Sequence, residues 1–135
     1  MAFLFLVIFS VSCASRRSIP VEEGWDLLAE RKVNFVRDKD EIEVTSRTQF
    51  TGLRFRVEDK DIRLSDLKVT FENGDKLEPA LDEVITAGQT SRFIEFGREG
   101  RNISKIEFKY RTTGSVLGGR ANVLVFGRKY DPYRF

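Results

Sequence analysis

The sequence predicts an all-β protein, a two-layer antiparallel β-sandwich of about eight strands, with a partly closed barrel as the alternative. Apolar and charged residues alternate with a period of two in three segments, residues 53–58, 67–72 and 106–111. Such alternation is typical of strands that bury one face and expose the other. Glycine-containing turns follow residues 67–72 and occur through the second half of the chain, and only residues 25–31 and 81–87 have a composition compatible with a short helix. These features together favour two packed sheets.

The remaining elements follow from the same patterns. Residues 25–36 are interpreted as an opening strand, and residues 42–44 repeat the alternation over a shorter length. Asn73-Gly74 lies between two apolar segments and predicts a hairpin with a type I′ turn, because both residues tolerate positive φ. Residues 123–126 are apolar throughout, which indicates a central strand covered on both faces.

The first thirteen residues have the composition of an export signal. Residues 2–9 are an unbroken apolar run, and Ser10-Val11-Ser12-Cys13 follows it. Eight apolar residues are too few for a transmembrane helix, which needs about 20, but they suit a signal-peptide core. Small residues directly before a cysteine resemble a bacterial lipobox, in which the cysteine is lipidated and becomes the first residue. We therefore expect Cys13 to carry the lipid that anchors the chain to a membrane.

The leader departs from the usual lipobox in two ways. Ser10 stands where leucine is commonest, and no basic residue precedes the apolar run, which suggests a start codon farther upstream. Ordinary secretion and a buried N-terminal strand remain alternatives. The expected organisation is a signal peptide over residues 1–12, a lipidated cysteine with a polar, basic tether over 13–21, and one β-sandwich domain over 22–135.

Composition argues against several classes of function. The chain has 23 basic and 21 acidic residues, a balance that argues against a nucleic-acid partner. It has no histidine, which removes the commonest general base and zinc ligand, and its single cysteine cannot form an internal disulfide. The carboxylates of Asp38, Asp40 and Glu41 lack a nearby glycine and surround Lys39, so we interpret them as a solvated turn rather than a calcium loop. We expect no metal and no cofactor.

Several segments resemble a known family, the YaaI-like domain of unknown function found in short exported bacterial proteins. The similar segments are residues 24–33, 66–74, 85–94, 103–108 and 123–127. They cover nearly all of the expected mature domain, but they are strand and turn motifs rather than a catalytic signature. The resemblance implies export and a β-fold, and it implies no particular chemistry. Some relatives carry cysteines within the domain, whereas this chain has none there.

Candidate binding residues come from the basic side chains that the alternation directs outward. If their strands are neighbours they form a basic stripe suited to anionic lipid headgroups or an acidic polymer; these residues are Arg54, Arg56, Lys68, Lys109, Arg111, Arg128 and Lys129. The alternative is cross-strand pairing with the glutamates of the same strands. Arg92 follows the turn at Gly88 and is a further candidate, because a long side chain there can reach a sheet edge or a ligand. Trp25 is expected to fill the core.

The sequence therefore predicts an exported envelope lipoprotein that binds a partner protein or a polysaccharide and is not an enzyme. Two other functions stay open. A secreted carbohydrate-active enzyme requires a cleft with two carboxylates, one with a raised pKa. A module that recognises anionic polymers or lipid headgroups requires the basic residues to cluster and its binding to weaken with salt.

Overall fold

The computed structural model describes residues 19–34, 39–112 and 120–133. The strands in this part of the chain are β1 (Trp25–Asn34), β2 (Lys39–Glu43), β3 (Phe50–Glu58), β4 (Ile62–Phe71), β5 (Lys76–Leu77), β6 (Glu83–Ile85), β7 (Ile94–Glu95), β8 (Ile103–Thr112) and β9 (Arg120–Lys129). They form two antiparallel sheets. Sheet A has the order β1-β9-β3-β7, and sheet B has the order β2-β8-β4-β5 with β6 also paired to β4.

The predicted fold class is confirmed: the protein is all-β, and its two sheets pack as a sandwich. The barrel alternative is wrong, because the two sheets remain separate rather than closing into one. The opening segment is a strand, as predicted, and β9 lies between β1 and β3 with residues 121–127 all buried. This position confirms that residues 123–126 form a central strand.

The core lies between the sheets, where the inward members of each alternation meet. Sheet A contributes Phe55 and Val125, and sheet B contributes Leu67 and Phe108, all essentially inaccessible to solvent. The rings of Phe55 and Phe108 lie 5.5 Å apart at an interplanar angle of 61°, an edge-on contact across the two sheets. Burial of these apolar side chains is the main stabilising contribution to the fold.

β-bulges shift the alternation of buried and exposed side chains where one strand has an extra residue. In β4, the register shifts between Leu64 and Asp66, so that Leu64 and Leu67 both face the core although three positions separate them. A bulge adds one residue to one strand and restores the inward direction after it. β1 has a similar shift between Leu27 and Ala29, which leaves Leu27 opposite Phe126.

The hairpin predicted at Asn73-Gly74 is present, but the predicted turn type is wrong. Gly74 has a φ of 90°, whereas Asn73 has no positive φ, and a type I′ turn requires it at both residues. Phe71 N–H donates to Asp75 O at 2.8 Å, and Gly74 N–H donates to Phe71 O at 3.0 Å. These bonds enclose a three-residue loop that ends with a glycine in the left-handed region.

Candidate functional site

The structure distributes the basic candidates over two surfaces instead of one stripe. Arg54 and Arg56 lie on β3 and project from the outer face of sheet A, whereas Lys109 and Arg111 lie on β8 of sheet B. The sandwich core separates these two faces. Cys13, the remaining residue predicted to be modified, lies outside the described residues, as do the signal peptide and most of the tether.

The outer face of sheet B is a mosaic of paired charges. Lys109 Nζ lies 3.9 Å from Asp66 Oδ2, and Lys68 Nζ lies 3.7 Å from Glu78 Oε1. Lys105 bridges two glutamates, at 3.4 Å from Glu107 and 3.5 Å from Glu41. The basic candidates Lys68 and Lys109 are therefore paired on this face, but with Glu78 and Asp66 and not with the glutamates of the strands as the alternative had it. Exposed pairs of this kind contribute little stability, typically less than about 1 kcal/mol each.

The pKa values on and beside this face follow from the pairing. The hydrogen bond to Glu107, then its charge and the charge of Glu41, raise the pKa of Lys105. Arg63 donates from Nε and Nη2 to the two carboxylate oxygens of Asp82, both at 2.7 Å. That hydrogen bonding lowers the pKa of Asp82 below its ordinary value. Arg63 is also the register partner of Arg111, so Asp82 compensates a repulsive pair of arginines.

The outer face of sheet A has a different chemistry. Its central feature is a group that we call the aromatic–arginine cluster: Trp25, Arg54, Phe93, Phe126 and Arg128. The Arg54 guanidinium lies 3.8 Å above the indole ring of Trp25 and 5.7 Å from the ring of Phe126. Trp25 and Phe93 meet edge to face at 5.7 Å, and the Arg128 guanidinium lies 5.6 Å from the Phe93 ring. Arginine over an aromatic face is a favourable cation–π contact.

The strand register explains why these five side chains meet. Trp25 on β1 is the partner of Arg128 on β9, and Arg128 is in turn the partner of Gly52 on β3. Gly52 has no side chain, and the ring of Phe93 occupies the space above it: a Cβ built on Gly52 would lie 2.4 Å from Phe93 Cζ. The glycine therefore allows Phe93, from the edge of the sheet, to reach across β3 towards Trp25.

The N-terminal segment of the described chain lies against this cluster. Glu22 Oε2 accepts a hydrogen bond from Arg54 Nη2 at 2.8 Å. Pro20, Val21 and Glu22 line an open depression of about 280 Å³ whose other walls include Arg56 and Phe126. The segment that leads back to Cys13 thus joins the domain at the outer face of sheet A.

Comparison with known proteins identifies the family. Residues 1–127 match a family described as "Domain of unknown function (DUF2541)". The chain belongs to the DUF2541 family. No curated protein matches the chain. A solved structure from a study of Pseudomonas aeruginosa AlgX is similar over 78% of this chain, with 9% identity and a TM-score of 0.47, and this chain spans 27% of that chain.

Arg92 of this DUF2541 domain contacts β6 and the residues that lead into it. Its Nη2 donates to the carbonyl of Ala80 at 2.9 Å, and its backbone N–H donates to Glu83 Oε1 at 3.2 Å. The neighbouring Ser91 is buried, and its hydroxyl accepts from Phe55 N–H and donates to the Arg92 carbonyl, both at 2.9 Å. The Arg92 guanidinium thus bonds Ala80, which precedes β6 and lies outside the strands, and ligand binding by Arg92 stays a prediction.

Two of the acidic residues considered for calcium lie in a strand and not in the predicted turn. Asp40 and Glu41 lie in strand β2, and Asp38 lies outside the described residues. Asp40 Oδ1 lies 4.0 Å from Arg31 Nε, at the limit of an ion pair. Within the described part of the chain, no three potential ligands of the histidine, cysteine or carboxylate type come together as a metal site.

The role of Trp25 was also predicted wrongly. It is partly exposed on the outer face of sheet A and does not belong to the buried core. Trp25 contacts Arg54 and Phe93, which are 29 and 68 positions farther along the chain. A local sequence pattern does not reveal contacts between residues so far apart. The glycine within the β3 alternation was the one available signal, because a glycine inside a strand often marks the close approach of another group.

Proposed function

We propose that this DUF2541 domain is the folded part of an exported bacterial lipoprotein of the YaaI-like type. In this proposal the lipid on Cys13 anchors the chain to an envelope membrane, and the β-sandwich acts as a non-enzymatic binding module. The partner is an envelope protein or a polysaccharide. Sheet B offers it an open depression of about 510 Å³ with a mixed-charge lining that includes Asp66 and Lys109.

One observation supports the proposal: within residues 19–34, 39–112 and 120–133, the strands of both sheets lie between Trp25 and Lys129. These strands all follow Cys13, so cleavage directly before that cysteine would leave each of them in the mature chain. The family match takes in residues 1–127, so the apolar run and Cys13 belong to the matched region. In the described part of the chain, no helical segment has the length and apolar character needed to cross a bilayer.

Metabolic labelling with a palmitate analogue in a bacterial host tests the anchor. The wild-type chain should take the label and fractionate with membranes, whereas Cys13→Ala should not be labelled. Ser15→Ala, two residues beyond the cysteine, is the matched control and should label like the wild type. Equal labelling of the wild type and Cys13→Ala would contradict the proposal.

The two alternative functions are distinguished by separate assays. Recognition of an anionic polymer through the five candidates Arg54, Arg56, Arg92, Lys109 and Arg111 is less favoured, because the first two and the last two lie on opposite faces. That function would show as polymer binding that weakens steeply with added salt. A carbohydrate-active enzyme would release reducing sugars from envelope polysaccharides, and that activity would disappear on substitution of a specific Asp or Glu.

A further inference from the structure

We propose that two copies of this chain associate side by side through the free edge of strand β1. We call this the β1 edge, and it consists of Trp25–Asn34. The two β1 strands run antiparallel about a twofold axis at Arg31, so that sheet A continues from one copy into the other. The inference goes beyond the proposed function and does not depend on a lipid at Cys13.

The backbone of β1 is open on one side. Among the strands of the described chain, β1 pairs with β9 alone and stands at the end of sheet A. The backbone N–H and C=O groups of successive residues in a strand point to opposite sides, so every second residue of this ten-residue strand directs both groups away from β9. A long open edge of this kind is a template for pairing with another chain.

Two opposite charges on the outer face mark this edge. Glu30 lies opposite Leu124 and Lys32 opposite Asn122, and both partners alternate with the core residue Val123. The Glu30 carboxylate is fixed in place, because its Oε1 accepts from Asn122 Nδ2 at 2.6 Å. Lys32 is exposed and has no ion pair with a carboxylate of the described part of the chain. The charge of Lys32 is therefore open to a partner.

The β1 edge is complementary to itself in one register. When Arg31 lies opposite Arg31 of the second copy, Glu30 of each copy lies opposite Lys32 of the other, and two symmetric pairs of opposite charge form. On the inner face Ala29 then meets Val33. A shift by two residues in either direction places Glu30 opposite Glu30 or Lys32 opposite Lys32, and like charges in facing positions are destabilising. The charge pattern thus selects the register.

Arg31 lies at the axis together with a carboxylate. It faces inward opposite Val123, and an inward charge on an edge strand normally discourages pairing. Here Asp40 Oδ1 of β2 lies 4.0 Å from Arg31 Nε, so two arginines and two aspartates meet at the axis without net charge. β2 is the end strand of sheet B on the same side. Lys39 and Glu41 flank Asp40, so the axis brings opposite charges together in sheet B as well.

Complementary charge reversals test this interface. The full-length chain is produced in a bacterial host with either of two C-terminal affinity tags, and pairs of chains are co-expressed and purified in excess mild detergent with a thiol reductant. Wild-type chains with different tags should copurify. Two Glu30→Lys chains should associate about tenfold less, because both symmetric pairs change from attractive to repulsive. Two Lys32→Glu chains should show the same loss.

The mixed pair is the decisive combination. A Glu30→Lys chain co-expressed with a Lys32→Glu chain should copurify like the wild type, because every facing pair of that register again has opposite charges. Glu99→Lys and Lys76→Glu are the matched controls, since they make the same charge changes at exposed positions outside β1. Each control should associate with itself like the wild type.

Every outcome bears on the β1 edge. Wild-type chains that do not copurify, or folded Lys32→Glu chains that associate as strongly as the wild type, would overturn the inference. Failure of the mixed pair to recover association would overturn it too, because the register would then be wrong. Circular dichroism verifies folding. If Glu30→Lys does not fold after losing its bond to Asn122, the Lys32→Glu chain decides the question by itself.

Discussion

Gly52→Ala is the substitution that most directly perturbs the aromatic–arginine cluster. A Cβ at this position would lie 2.4 Å from Phe93 Cζ, 2.5 Å from Phe93 Cε2 and 2.5 Å from the carbonyl oxygen of Ile94. Carbon and oxygen atoms do not approach so closely without rearrangement. The Phe93 ring can rotate away, but the Ile94 oxygen belongs to the backbone of β7, which pairs with β3 at Gly52 and Leu53. Either Phe93 leaves Trp25 or β7 moves away from β3.

The magnitude follows from these two costs. Insertion of an extra carbon into a packed site typically costs about 1–3 kcal/mol. Loss of the edge-to-face contact between Phe93 and Trp25 adds about 0.5–1.5 kcal/mol. We therefore expect the free energy of unfolding to fall by about 1.5–4.5 kcal/mol, with the emission spectrum of Trp25 shifting because its ring neighbour moves.

Urea unfolding followed by circular dichroism and by Trp25 fluorescence measures this change, and an unchanged m-value would keep it a stability effect. The double variant Gly52→Ala/Phe93→Ala should lose less stability than the sum of the losses of the two single variants, because the clash with Phe93 is then absent. Gly74→Ala is the control: no heavy atom lies within 4 Å of its added Cβ, so only the strain of φ +90° remains. A loss below about 0.5 kcal/mol for Gly52→Ala would refute the steric argument, because ordinary surface substitutions fall within that range.

Three other substitutions test separate parts of the fold. Ser91→Ala leaves the buried Phe55 N–H without its side-chain partner and should cost about 1–3 kcal/mol in urea unfolding; a neutral result would show that the hydroxyl is dispensable. Phe108→Ala opens a cavity opposite Phe55 and should cost about 3–5 kcal/mol in the same assay, so a cost under about 1 kcal/mol would place Phe108 outside the core. Arg63→Gln should raise the pKa of Asp82 towards its ordinary value of 3.8, as measured by NMR titration of the carboxyl carbon. Because the folded-state pKa of Asp82 is lowered, its contribution to stability is present above 3.8 and is lost as the pH falls through the folded-state value, and the variant should lack this acid-side loss; an unchanged titration would contradict the pairing.

The periodicity of the sequence predicted the strands well, since it reflects a local physical constraint. Successive side chains of a strand point to opposite faces, so the alternation at residues 53–58 and 106–111 already encodes which members are buried. The apolar run of β9 likewise required cover on both faces. These patterns reveal the direction of each side chain, but they contain no information about which strand lies beside which.

The surface features depended on that missing information. Arg54 and Lys109 have similar sequence surroundings, yet the topology places them on different sheets, and only the register of β1, β9 and β3 brings Trp25 to Arg54. The bulges at Leu28 and Ser65 also escaped prediction, because an extra residue in a strand resembles a break in the pattern. Trp25 was expected in the core, whereas contacts with Arg54 and Phe93 accommodate it on the surface.

The mass of the N-terminal peptide of the mature protein, isolated from membranes of a bacterial host, tests the central claim most directly. Lipid anchoring predicts a chain that begins at Cys13 and carries the mass of a diacylglyceryl group on its sulfur. A mature chain that retains Met1, or that begins after Cys13 without any lipid, would contradict the claim.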